Sequence, residues 1–162
     1  MKFLIISDIH DNLVNLEKCL NWGREQVITK AICCGDVVNS ETLAYLAEKL
    51  EIIYLVRGNI EIYDETEIKK YKNLNYLGRF GLFELDNKVI GLCHEPWYIK
   101  SVLDKKFCNI VFYGHTHEPW IGEKDGVMTA NPGTLGGVFT KATFAVWDSE
   151  SGYLELKVLE LL

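Results

Sequence analysis

An α/β fold with a ligand site at its strand ends is expected from three observations. From Lys2 to Val56, short branched-apolar runs alternate with segments of helical period, the rhythm of a parallel sheet with crossing helices. Each of these runs stops at a Ser, Gly or Arg and then delivers an Asp or Asn. Beyond Phe80, apolar runs are instead separated by short polar turn segments, as in hairpins.

The elements follow in order. Lys2 to Ile6 is a strand that runs into Ser7-Asp8. Leu13, Leu16 and Leu20 recur at helical spacing behind Asn12, a good N-cap residue. Thr29 to Cys34 is a second strand, closed by Gly35-Asp36. Ser40 caps a second helix whose apolar face is Leu43, Leu46, Ala47 and Leu50. Ile52 to Val56 is a third strand, closed by Arg57-Gly58-Asn59. Open α/β sheets bind ligands beyond the carboxyl ends of their strands, where Asp8, Asp36 and Asn59 all fall. Phe80 to Leu85 and Lys88 to Cys93 then flank Asp86-Asn87 as a hairpin, and Ser101 to Lys106 is a short helix. Asn109 to Tyr113 is a buried strand ended by Gly114-His115. Ile121 and Val127 to Thr129 flank a turn at Glu123 to Gly126; Phe144 to Trp147 and Leu154 to Val158 flank another at Asp148 to Gly152. The C-terminal half is therefore expected to be mainly antiparallel. With no linker or repeat, 1–162 reads as one domain, a size that buries roughly 70% of the unfolded surface.

Composition narrows the function. The chain carries 23 acidic and 17 basic residues, a net charge of -6. Such a chain gains little from counterion release, which argues against nucleic-acid polymers as partners. The apolar run Phe3 to Ile6 is too short for a signal peptide or a membrane span, and no later run is long enough. The five cysteines lack CxxC spacing, and Cys33 and Cys34 are adjacent. Adjacent strand residues face opposite sides, so these two read as core fillers in a reduced, cytoplasmic protein.

The four histidines carry the chemistry. Asp8-Ile9-His10 and His115-Thr116-His117 each present two ligand-type side chains two residues apart, and His94 follows a strand. With Asp36 and Asn59, seven metal-competent side chains gather at loop positions. Imidazole and carboxylate together suit Mn, Fe, Co, Ni or Zn better than Ca or Mg alone. Two such cations held ~3.5–4 Å apart repel each other, which a bridging carboxylate such as Asp36 offsets, and they activate water near neutral pH. Gly35, Gly58 and Gly114 allow tight turns that bring the side chains together. Neither Asp-x-His nor Gly-Asp means much alone; the order of all five segments, each at a strand end, makes the case.

That order, with Ser7 to Asn12 and Asn131-Pro132-Gly133-Thr134, resembles the calcineurin-like metallophosphoesterase superfamily, and within it the small prokaryotic phosphodiesterase branch. The resemblance implies a four-layer αββα sandwich with two mixed sheets face to face. It implies two divalent metal ions per chain, manganese first, with nickel, iron, cobalt or zinc as alternatives. Asp8, His10 and His117 would hold one ion, Asn59, His94 and His115 the other, with Asp36 bridging. Asn12 would lie close to the substrate phosphate, and Asn59 and His94 would serve catalysis as well as metal binding. The implied reaction is hydrolysis of a small phosphodiester, nucleotide-like or otherwise, by in-line attack of a metal-bridging hydroxide.

The chain departs from the family at one place. After Gly-Asn the superfamily often has His, and the small branch often Cys, followed by an acid; here the residues are Ile60-Glu61. Isoleucine donates no proton, so a catalytically weak, metal-bound scaffold or interaction module is the alternative, as in the retromer's small phosphoesterase-like subunit. Three side-chain groups have two readings each. Arg57 is a phosphate contact or a solvated strand-end charge. Glu95 and Glu118 orient imidazoles or lie on the surface. Trp97, Tyr98 and Trp120 wall the site or pack in the core. The strand from Tyr153 to Leu162 is either a core strand or an edge that pairs in a homodimer.

Overall fold

Alternation along β1 (Lys2–Ile6) sets the layers. Phe3 and Ile5 enter one apolar cluster, Leu4 and Ile6 another, because successive strand residues point to opposite faces. The computed structural model describes residues 1–162 and shows the same division in every central strand. In β2 (Lys30–Cys33) and the residue after it, Ala31 and Cys33 join Leu4, while Ile32 and Cys34 join Phe3. The adjacent cysteines thus face opposite sides, as expected. All five cysteines are free and buried, and burial pushes the Cys93 thiol up to about 12.

The first sheet runs β11-β10-β1-β2-β3-β4. β1, β2, β3 (Ile52–Leu55) and β4 (Leu74–Tyr76) are parallel. β10 (Thr143–Asp148) and β11 (Leu154–Val158) add antiparallel beyond β1. The second sheet contains β5 (Phe80–Leu85), β6 (Lys88–Cys93), β7 (Ile110–Phe112), β8 (Pro119–Lys124) and β9 (Val127–Pro132). Its order is β5-β6-β7-β9-β8. A cluster of 12 buried residues, including Phe3, Ile32, Phe112 and Trp147, fills the space between the sheets. There Phe112 of one sheet meets Trp147 of the other edge to face at 5.4 Å, a contact worth about 0.5–1.5 kcal/mol beyond its buried area. A cluster of 21 lies under α1 (Leu13–Glu25) and α2 (Ser40–Lys49). A third, of 6, lies under α4 (Ile99–Leu103). A short α3 (Glu65–Ile68) precedes β4. Helix, sheet, sheet, helix is the four-layer sandwich implied by the family resemblance. No helix is long and apolar enough to cross a membrane.

The C-terminal half is mainly antiparallel, as expected: β5–β6, β8–β9, β1–β10 and β10–β11 all pair antiparallel, while β6, β7 and β9 are mutually parallel and β10 and β11 return to the first sheet. Turn residues specify only the local hairpin, whereas the parallel pairing of β6 with β7 is set by the crossover through α4. Three expectations need correction. Helix α4 begins before Ser101, because Pro96 opens a 3-10 turn, Pro96–Tyr98, that leads into it. The cap of α2 is Asn39 rather than Ser40; Asp11, from the β1 loop, accepts from Asn39 N at 3.0 Å and Thr42 Oγ1 at 2.6 Å. Finally, the C-terminal strand stops at Val158 and ends in a 3-10 turn, Leu159–Leu161. β11 is a sheet edge.

The end of α1 yields a stability prediction. Ile28 N–H donates to Gly23 O at 2.8 Å and Val27 N–H to Arg24 O at 3.0 Å, the paired bonds of a Schellman close. The residue in the left-handed position is Val27, with φ 59° and 87% exposure, where a Cβ is penalised. Val27→Gly is expected to stabilise the chain by about 1 kcal/mol. A urea melt with an unchanged or lower midpoint would refute this.

Candidate metal centre

All five ligand-bearing loops leave the carboxyl ends of parallel strands: Asp8 and His10 after β1, Asp36 after β2, Asn59 after β3, His94 after β6, His115 and His117 after β7. Because the sheets stack face to face, these ends meet along one edge of the sandwich. The backbone there is strained. Asp8 (φ 51°), His10 (47°), Asp36 (53°), His115 (71°) and His117 (60°) all take left-handed conformations. Asp and His tolerate this region better than most residues, and such strain persists where surrounding structure over-determines it, commonly at functional sites.

The structure brings all seven candidate ligands together. His10 Nε2 lies 3.2 Å from His117 Nε2. Asp8 Oδ1 is 3.1 Å from His117 Nε2 and 3.8 Å from His10 Nε2. On the other side, Asn59 Oδ1 is 2.8 Å from both His94 Nε2 and His115 Nδ1. Asp36 Oδ2 links the halves, 3.7 Å from His10 Nε2 and 3.4 Å from His94 Nε2. Asp8 groups with both His10–His117 and Asp36–His94, so its carboxylate also lies near both halves.

This donor set fits a cation. Asp8 Oδ1 is buried without a hydrogen-bond partner, a state that costs free energy unless something positive occupies the space. His94 Nδ1 lies 2.8 Å from the Cys34 carbonyl and therefore carries a hydrogen. His94 Nε2 is thereby aimed at two acceptor oxygens, Asn59 Oδ1 and Asp36 Oδ2. Without a metal, a proton must serve there. Burial lowers the His94 pKa, but the hydrogen bond to Asp36 and the charges of Asp8 and Asp36 outweigh it and hold the ring above its ordinary value. Burial likewise works to raise Asp36, yet His94, the Ile60 N–H and His10 hold it below the usual carboxylate range. A cation held by His94 Nε2 would take the place of that proton, and its affinity would then fall on acidification.

Supporting groups fix the ligands. Asp8 Oδ2 accepts from Ser7 Oγ at 2.5 Å and His115 N–H at 3.0 Å, tying the first loop to the last. Buried Asn131 donates to Gly114 O at 2.9 Å and Thr116 Oγ1 at 3.0 Å. Thr134 Oγ1 donates to Asp8 O at 2.9 Å. The Asn131–Thr134 segment therefore clamps the two ends of the ligand set. Gly35 sits at φ 103° with no room for a Cβ beside His94 Nδ1. Gly58 has no unusual φ; it is needed because a Cβ would land on the Asp36 carboxylate.

Glu61 joins two more loops. Its carboxylate accepts from Val38 N–H at 2.7 Å, Gly58 N–H at 3.1 Å and Val37 N–H at 3.3 Å. Burial raises its pKa against the pull of those three bonds. Glu61→Ala would orphan the N–H groups of Val37 and Val38, just after Asp36, and of Gly58, just before Asn59. It is expected to destabilise the fold by about 2–3 kcal/mol and to weaken metal binding by roughly 10–100-fold. Unchanged metal affinity by calorimetry would count against it.

The remaining candidates separate clearly. Asn12 caps α1, accepting from Asn15 N–H at 3.1 Å, while its Nδ2 donates to Gly136 O at 2.9 Å; both amide atoms are engaged beside the Asp8 loop. Arg57 pairs with Glu65 at 2.8 Å. Glu118 is exposed. Glu95 is neither on the surface nor on an imidazole: it is buried, with one oxygen 3.8 Å from Arg79 and the other unpartnered. Trp97 meets His115 edge-on at 5.1 Å, whereas Tyr98 stacks on Phe80 at 5.2 Å and Trp120 projects from the outer strand β8. Sequence reasoning missed Glu61 as a brace and Phe139, whose ring lies 6.3 Å from His117. The one available signal was an apolar aromatic set in a glycine-rich loop.

Comparison with known proteins agrees with this geometry. A family model described as a calcineurin-like phosphoesterase superfamily domain matches residues 1–152. A phosphodiesterase of Methanocaldococcus jannaschii is 28% identical over 167 residues, covering 99% of this chain and 100% of the relative. The solved structure of an archaeal phosphodiesterase superposes with a TM-score of 0.86 at 25% identity, covering 98% of this chain and 99% of the other. Vps29 from Entamoeba histolytica, solved in complex with zinc, superposes at 0.70 with 20% identity and 97% of each chain covered. That last likeness concerns the fold.

Proposed function

Because the chain belongs to the calcineurin-like phosphoesterase superfamily, we propose that its seven converging ligands hold two divalent cations, manganese first among them, and that it hydrolyses small phosphodiesters. The observation that carries this is the unpartnered, buried Asp8 Oδ1 facing a ring of imidazole and carboxylate lone pairs. Asp8, His10 and His117 would hold one ion and Asn59, His94 and His115 the other, with Asp36 between them. Such a pair supplies activated water near neutral pH and neutralises phosphate oxygens. The protein's own part is positional. Cys34 O fixes the His94 ring, Glu61 fixes the Asp36 and Asn59 loops, and Asn12 holds Gly136 against the loop of Asp8 and His10. A net charge of -6 favours a short diester over a polymer. The free, buried thiols fit a reducing, cytoplasmic setting. The open edge of β11 is where a second copy would pair, which light scattering would decide.

Ile60 in the acid's place supports a second reading, a metal-bound scaffold. The two are separated by turnover of bis(p-nitrophenyl) phosphate with manganese. The enzyme reading expects activity that is abolished by chelator, restored by manganese or nickel, and reduced by on the order of 10²–10³-fold in Asn59→Ala and His94→Ala. Equal inertness of wild type and both variants selects the scaffold.

A further inference from the structure

Two aromatic side chains stand in solvent at opposite ends of the imidazole row. Trp97 is 60% exposed and touches His115. Phe139 is 95% exposed and lies alongside His117, with 25° between the ring planes. Between them run His115 and His94, 5.2 Å apart, then Asp36, then His10 and His117, 5.1 Å apart. Ile60, half-exposed, donates its N–H to Asp36 Oδ1 at 2.9 Å. Neither aromatic belongs to any of the three buried clusters. Phe139 is costly twice over. Its φ of 67° is a left-handed conformation that a bulky residue rarely adopts, and its ring gains nothing from burial. A residue that weakens the fold and stands beside a candidate ligand, with its ring in solvent, fits a ligand clamp.

We infer that Trp97 and Phe139 form a two-sided aromatic bracket that selects phosphodiesters bearing a flat aromatic ring on an ester arm. The inference rests on the phosphodiesterase reading above. A diester sends two arms away from phosphorus, and a phosphate seated among the seven ligands directs them along the row, toward one aromatic or the other. In the hydrolysis, the oxygen of water bonds to phosphorus as one ester P–O bond breaks. That arm leaves as an alcohol with a proton from the water, and the product monoester keeps the other arm. A stacked ring, whether nucleobase or simple aryl, is the shared recognition element.

Calorimetry on the manganese-loaded protein tests this without turnover. Phenylphosphonate is compared with methylphosphonate, and adenosine monophosphate with ribose 5-phosphate. The bracket expects the ringed member to bind roughly tenfold tighter. Trp97→Leu and Phe139→Gly should each remove part of that ratio, and the double variant most of it. Phe139→Gly should also raise the melting temperature, because glycine relieves the strained φ; a packing role would lower it. An advantage for both ringed probes assigns nucleotide arms, and one for phenylphosphonate alone assigns aryl arms. Equal affinities in a protein that still turns over a diester overturn the bracket only, as does an undiminished ratio in both variants. Failure to bind either phosphonate, together with absent turnover, overturns the phosphodiesterase reading as well.

Discussion

Asp36→Asn should lower metal-dependent phosphodiester turnover by on the order of 10³-fold while leaving the fold intact. The asparagine oxygen can still accept the Ile60 N–H that Asp36 Oδ1 holds at 2.9 Å, so the loop has no reason to move. What disappears is the negative charge at Oδ2, which lies between His10 Nε2 and His94 Nε2. Two cations in adjoining sites repel strongly, and a carboxylate between them offsets that. The variant should therefore retain fewer cations per chain than wild type. Elemental analysis beside a far-ultraviolet dichroism spectrum checks both halves. Wild-type metal content with unchanged turnover would mean that Asp8, which stands near both ligand groups, bridges alone. The His94 ring should change too, since its raised pKa depends first on the hydrogen bond to Asp36 among the favourable contacts. In the metal-free variant it should release its proton at lower pH, which histidine NMR reads directly.

The convergence of the seven candidate ligands was legible because their residue types are expensive anywhere else. A histidine, aspartate or asparagine directly after a buried strand has few structural uses, and five such segments in one order leave little room for coincidence. The parallel first half was legible for a similar reason: β1, β2 and β3 are near-continuous apolar runs broken by amphipathic helices. The second sheet was not. Asp86-Asn87 and Asp125-Gly126 announce their own hairpins through left-handed backbone, but nothing local says that β9 lies beside β7. Nor does anything local mark Glu61 as a brace, because its three partners come from Val37, Val38 and Gly58. Asp11 is the same case, bracing the cap of a helix that begins 29 residues later at Ser40. Contacts of this kind join segments that the fold alone makes neighbours.

Ile60→His tests the sharpest departure from the family. The Ile60 side chain is 47% exposed, and its N–H bonds the proposed bridging carboxylate, so position 60 faces the reacting phosphate on the proposed reading. The neighbouring acid cannot substitute. Glu61 is turned inward, its oxygens spent on backbone N–H groups of Val37, Val38 and Gly58. Wild type should therefore depend steeply on leaving-group pKa, cleaving nitrophenyl diesters well and alkyl diesters poorly. General acid assistance is typically worth about 10²–10⁴-fold. Ile60→His should recover part of that on alkyl esters, leave nitrophenyl esters nearly unchanged, and flatten the plot of log kcat against leaving-group pKa. The aromatic bracket confounds this comparison only through binding. A series at fixed ring size, with nitro, chloro and methyl substituents, varies leaving-group pKa while keeping the stacked surface nearly constant. If wild type shows no slope across that series, a proton donor other than residue 60 serves the leaving group, and the isoleucine carries no catalytic cost.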